Sequence, residues 1–112
     1  MGQGTKLAEI RRRSPRFCFE ATITLSIGEP PAISHGRALG LSASGIAAAF
    51  PGDLKMGDMV ELEFVLPVTR IPLHVRAIVR NRIRDRYGLE FLPLSPAQRQ
   101  VLEAAFSVLS PL

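Results

Sequence analysis

The chain predicts a mainly β fold: a six-stranded antiparallel barrel followed by one C-terminal α-helix. Six short apolar segments alternate with period two, and turn clusters set them about 8 to 12 residues apart, as in small barrels rather than βαβ units. The period changes once, at Leu94-Ser95-Pro96, to helical spacing. With 112 residues, 46% of them hydrophobic, the chain can build one core and is too short for two. Closure into a barrel is favoured because it leaves no strand edge unpaired.

The elements follow in order. Residues 1–16 are charged without an apolar stretch and predict a flexible Arg-rich arm. In residues 17–25, Phe17, Phe19, Ala21, Ile23 and Leu25 share one parity, which predicts a strand with one buried face. Residues 26–36 hold Gly28, Pro30-Pro31 and His35 and predict a loop, since proline removes a ladder donor. Two short strands are expected at 37–41 and 45–50, joined by Ser42-Ala43-Ser44 and ended by Pro51-Gly52-Asp53.

In residues 59–66, Val60, Leu62, Phe64 and Leu66 face one way and Glu61 and Glu63 the other. Residues 71–83 place Ile71, Leu73, Val75, Ala77, Val79 and Ile83 on the buried parity, with His74, Arg76, Arg80 and Arg82 opposite. Arg84-Asp85-Arg86 is the expected hairpin tip, and residues 87–91 return with Tyr87, Leu89 and Phe91 inward. Ser95 then caps a helix, Pro96 takes its first position and Gln98 completes a capping box. Val101, Leu102, Ala105, Phe106 and Leu109 make its apolar stripe, and Phe17, Phe19, Phe64, Phe91 and Phe106 all fall on core parities. The organisation is thus a single domain, with an arm at 1–16, a barrel at 17–94 and a helix at 95–109.

Several classes are excluded on composition and motif. Every apolar run is shorter than the ~20 residues of a membrane helix, and the opening residues lack the apolar core of a secretory signal, so the expected location is the cytoplasm without membrane insertion. A single cysteine, Cys18, makes neither an intrachain disulfide nor a metal site, and its apolar flanks predict a packed thiol. His35 and His74 lack metal-motif partners, Gly40-Leu41-Ser42-Ala43-Ser44 misses the last glycine of a nucleophile elbow, and no phosphate-cradling glycine loop opens a helix. The expectation is a non-enzyme with no catalytic residues, metal or cofactor.

The charge is more informative. The net charge is +4 and the pI about 10.2, and twelve of the fourteen basic residues are Arg. The planar guanidinium fork suits phosphate oxygens and the O6/N7 edge of guanine, and stacks on bases. Two features stand out: the cluster Arg11-Arg12-Arg13 with Arg16, and the small-residue turn Ser42-Ala43-Ser44-Gly45.

Arg12-Arg13-Ser14-Pro15-Arg16 entering a strand, then Leu41-Ser42-Ala43-Ser44-Gly45-Ile46, then Val75 to Arg80, Tyr87-Gly88-Leu89-Glu90-Phe91 and a helix opened by Ser-Pro, together resemble a PilZ domain from about Arg11 onward. That resemblance implies a six-stranded barrel that binds cyclic di-GMP through an RxxxR motif in the arm and a [D/N]xSxxG motif on the barrel. RxxxR spacing occurs four times, at Arg12/Arg16, Arg76/Arg80, Arg80/Arg84 and Arg82/Arg86, and only the first precedes the first strand in the family's order. The second motif matches at Ser42 and Gly45 and departs at Gly40, where the family has Asp or Asn.

On this resemblance Arg12 and Arg16 meet guanine edges or phosphate and stack on a base, and Arg13 adds charge. Ser42 offers a hydroxyl and Gly45 lets the backbone approach the ligand. Arg37 and Arg80 are secondary candidates for a supporting face. The missing side chain at Gly40 removes a hydrogen bond worth roughly 1 to 3 kcal/mol, about ten- to a hundredfold in affinity.

The implied function is a bacterial second-messenger receptor or adaptor acting on a protein effector in motility or biofilm regulation, without DNA or RNA as partner. Two alternatives stay open. One is a degenerate interaction module that does not bind the nucleotide, motivated by Gly40. The other is a nucleic-acid-binding small barrel, motivated by the pI and the basic strand face but short of stacking aromatics, with one Tyr and no Trp.

Overall fold

The computed structural model describes residues 15–67 and 69–112. Its strands are β1 (Thr22–Ile27), β2 (Ala32–Leu41), β3 (Gly45–Ala49), β4 (Met59–Val65), β5 (Pro72–Ile83) and β6 (Arg86–Phe91), followed by helix α1 (Pro96–Phe106). They form a closed barrel in the order β1-β2-β3-β6-β5-β4, every pairing antiparallel. Closure is made by β1 on β4, with Thr24 opposite Glu63 and Ser26 opposite Glu61.

Period-two alternation fills the interior. Ile23 and Leu25, Val60, Leu62 and Phe64, Leu73, Val75, Ala77 and Val79, and Tyr87, Leu89 and Phe91 are all buried. Phe19 meets Phe64 edge to face, ring centroids 5.8 Å apart. Removal of this apolar surface from water is the main force holding the barrel together. Helix α1 docks through buried Leu102 and Ala105. Its start is fixed locally: the Gln98 N–H donates to Ser95 Oγ at 3.1 Å, the Ser95 N–H donates to Gln98 Oε1 at 2.8 Å, and Pro96 takes the first turn. The Gln98 amide also donates to the His74 carbonyl, tying α1 to β5. No helix among the described residues is long and apolar enough to cross a membrane.

The structure corrects several expectations. Residues 26–36 are not a loop: β2 begins at Ala32 and pairs with β1 from Ile27↔Ala32 to Thr22↔Arg37. Pro30 and Pro31 fall in the turn, so no proline interrupts the ladder, and cross-strand pairing overrides the weak local signal of Ser34, His35 and Gly36. The first strand starts at Thr22 rather than residue 17, and Phe17 makes only two isolated bridges, to Leu41 and to Pro111.

Ile71 and Ile83 are each 74% exposed. Ile71 precedes β5, and a bulge between Val79 and Asn81 carries Arg80 and Asn81 both to the outside before the β5–β6 hairpin runs on to Ile83. That hairpin turns on two residues, because Ile83 already faces Arg86, and Arg84 adopts φ 59. The helix ends at Phe106, and a turn beyond it keeps Leu109 against the core. Cys18 is exposed rather than packed. It alternates with buried Phe19, so its apolar neighbours point away from it.

Candidate functional site

The β2–β3 turn lies at one rim of the barrel, and Ser42 organises it. The Ser42 N–H donates to the Gly45 carbonyl at 2.9 Å. Its Oγ accepts from the Ser44 and Gly45 N–H groups, each at 3.2 Å, and lies 3.3 Å from the Gly45 carbonyl. With 7% exposure, Ser42 is the one buried polar residue among those described, and its hydroxyl is engaged in its own turn. The hydroxyl therefore preforms the turn and points two backbone groups at fixed positions.

Gly45 opens β3 opposite Glu90 of β6. A Cβ there would run into the Leu89 carbonyl oxygen, so the close approach of β6 requires glycine at this position irrespective of any ligand. Glu90 in turn receives the Arg80 Nε. Arg80, carried outward at the β5 bulge, thus stands beside the turn with its charge compensated by an acid.

Arg16 is exposed, and its position is set by the next residue. The Phe17 N–H donates to the Leu41 carbonyl at 2.8 Å and the Leu41 N–H returns to the Phe17 carbonyl at 3.0 Å. This pairing brings Arg16 next to Gly40-Leu41-Ser42. The Phe17 ring stacks on Phe106 of α1. Gly40 pairs with Ala47 on β3 and is buried. A Cβ on it would stand 3.1 Å from Leu112 Cδ1 and 3.5 Å from the Phe17 carbonyl.

Arg16, Gly40, Ser42, Gly45 and Arg80 therefore converge on one rim. Arg37 does not: it faces Ala49 at the other end of β3 and pairs with Glu20 at 3.1 Å. Arg12 and Arg13 lie outside the described residues. Sequence reading missed Glu90, Phe106 and Leu112 as neighbours of the site. Glu90 alone had a signal, as an acid outward on a strand next to an Arg-bearing one.

The basic strand face is largely self-compensated. Besides Arg80–Glu90, Arg82 pairs with Asp53 and His74 Nε2 lies 3.3 Å from Glu63 Oε2. The hydrogen bond and charge of Arg82 hold the Asp53 carboxyl below its ordinary value, and the same bond raises Arg82. Among the described residues, no group of three or more His, Cys, Asp or Glu side chains is placed to hold a metal ion.

A closed six-stranded antiparallel barrel with a C-terminal helix, an exposed arginine just before the Phe17 bridge and a serine-organised turn beside it defines a small β-barrel domain. The chain belongs to the PilZ domain family, whose model matches residues 10–107. Solved structures agree in fold. The PilZ domain of CeSA from a cellulose-synthesizing bacterium superposes with TM-score 0.66 at 19% identity, over 83% of this chain and 96% of that one. The PilZ domain of YcgR from Escherichia coli, solved with c-di-GMP, gives TM-score 0.68 at 20% identity, over 88% and 91%. The Bacillus subtilis inhibitor of motility MotI/DgrA gives TM-score 0.71 at 20% identity, over 87% of this chain and 50% of that longer one. No curated protein matches the sequence.

Proposed function

We propose that this chain is a cyclic di-GMP receptor domain, with no catalytic activity and no cofactor of its own. The observation that carries the reading is the Phe17–Leu41 pairing, which holds Arg16, the second arginine of RxxxR, against the Gly40-to-Gly45 turn that bears the SxxG motif. Family membership supports it, and so does the YcgR PilZ domain, whose structure contains c-di-GMP.

The ligand is a compact dianion with two guanine edges. Arg16, together with Arg12 and Arg13, supplies bidentate donors for phosphate or guanine and planar surfaces for stacking. The Ser42–Gly45 turn gives a rigid backbone beside Arg16, and Arg80 stands beside Gly45 as a further guanidinium that reaches the ligand when its pair with Glu90 opens. Arg12, Arg13 and Arg16 gain charge-assisted bonds only when the dianion is present, so binding changes the surface offered to a protein effector in the cytoplasm.

Titration calorimetry of cyclic di-GMP, with GTP as control, tests this. Micromolar or tighter binding that Arg16→Ala abolishes is the expected outcome. No heat at high ligand concentration, with an unchanged melting temperature, would reject the receptor reading. A second reading, an interaction module that works without nucleotide, is favoured by one observation: Gly40 offers no side chain, and Leu112 stands over it. Retention of one protein partner with and without nucleotide, by a chain that binds none, is the result expected from it.

A further inference from the structure

Residues 110–112 lie across the same rim. The Cys18 N–H donates to the Ser110 carbonyl at 2.7 Å, the Leu112 N–H donates to the Arg16 carbonyl at 2.8 Å, and Pro111 faces Phe17. Residues 16–18 are thus flanked on one side by Leu41 of β2 and on the other by residues 110–112. Gly40 is buried although its partner Ala47 is exposed on the outside of the barrel. Its cover includes Leu112, whose Cδ1 stands 3.1 Å from the Cβ position. Leu112 itself stays 70% exposed, so the contact is shallow.

We infer that residues 110–112 form a displaceable strap over the nucleotide site, with Leu112 standing where a side chain at position 40 would reach, so that strap docking and cyclic di-GMP binding exclude one another. The inference rests on the ligand reading above. Two features make the strap displaceable: it is held by two backbone hydrogen bonds to exposed residues, each of small net worth against water, and its side-chain contact is mostly solvent-facing. A third couples it to the arm. The Arg16 carbonyl anchors Leu112, so a rearrangement of Arg16 over a dianion loosens the strap, and a docked strap holds Arg16 back. The fraction of molecules with the strap released then scales the apparent affinity.

The test uses two variants and two readouts. Leu112→Ser changes an exposed residue and is expected to tighten cyclic di-GMP binding about three- to tenfold in calorimetry. In the parent, saturating ligand is expected to speed hydrogen exchange of the Cys18 and Leu112 amides. Equal affinities for the two proteins, with both amides still protected in the complex, would overturn the competition. Gly40→Asp, measured with no nucleotide, is expected to release the same two amides, because its side chain meets Leu112. Unchanged exchange there would overturn the strap whatever the nucleotide does. Absence of heat from both parent and Leu112→Ser would reject the ligand reading and the competition with it, while release of the amides in Gly40→Asp would still support the strap itself.

Discussion

Phe17 and Phe106 lie ring on ring, their centroids 4.5 Å apart and their planes 9° from parallel. The residue that follows Arg16 is thereby fixed to the last turn of α1. Residues 16–18 are held by Leu41 of β2, by the helix and by residues 110–112 together.

Phe106→Ala is the direct probe of that anchor. Losing a half-buried stacked pair is expected to cost about 2 kcal/mol in urea unfolding. Exchange of the Phe17 and Leu41 amides, which form the bridge to β2, should quicken, while amides in the middle of β5 keep their protection.

Gly45→Ala tests whether glycine serves the sheet. The added methyl meets the Leu89 carbonyl, a backbone group that cannot yield without moving β6, and a loss of about 1 to 3 kcal/mol is expected. Gly40→Ala is the contrast, since its methyl meets the end of a flexible, exposed leucine and should leave the urea midpoint nearly unchanged.

Tyr87→Phe tests the tether of the β3–β4 loop. The buried Tyr87 hydroxyl accepts from the Leu54 N–H at 3.1 Å and donates to the Gly52 carbonyl at 3.1 Å. Its removal is expected to cost about 1 to 2 kcal/mol and to accelerate exchange of the Leu54 amide.

Asp53→Asn tests the charge pair at the opposite end of the barrel from Ser42. Arg82 lowers the Asp53 pKa in the folded state, so the carboxylate contributes stability above its unfolded pKa and loses that contribution as pH falls through the folded value. The melting temperature of Asp53→Asn should lie below that of the parent by a constant, small margin at neutral pH, and the margin should close below about pH 4. A margin that persisted into strong acid would mean that Asp53 acts through packing instead of charge.

Features written in local chemistry were legible in the sequence. The capping box of α1 is complete within Ser95-Pro96-Ala97-Gln98, and β4 and β6 announce themselves by strict alternation. What depended on a distant partner was not. Residues 32–36 become a strand because β1 lies beside them, and Ile83 is exposed because a bulge intervenes and the hairpin runs on. At the site, the order of the motifs was legible, and it led to Arg16, Ser42 and Gly45. The physical work of Ser42 and Gly45 was not, since a hydroxyl closing its own turn and a glycine pressed against Leu89 look the same in sequence as residues reserved for a ligand. Leu112 gave no signal at all, being an apolar residue outside every periodic segment.

The ring order has a consequence for the chain as it is made. β6 sits between β3 and β5, yet it is the last strand to be synthesised. A nascent or clipped chain ending before Arg86 has five strands in the order β3-β2-β1-β4-β5 and two raw margins, β3 and β5, each with unpaired backbone groups that invite pairing with another molecule. Residues 86–91 therefore act as a keystone: before they arrive the product is an adhesive sheet, and afterwards a sealed cylinder.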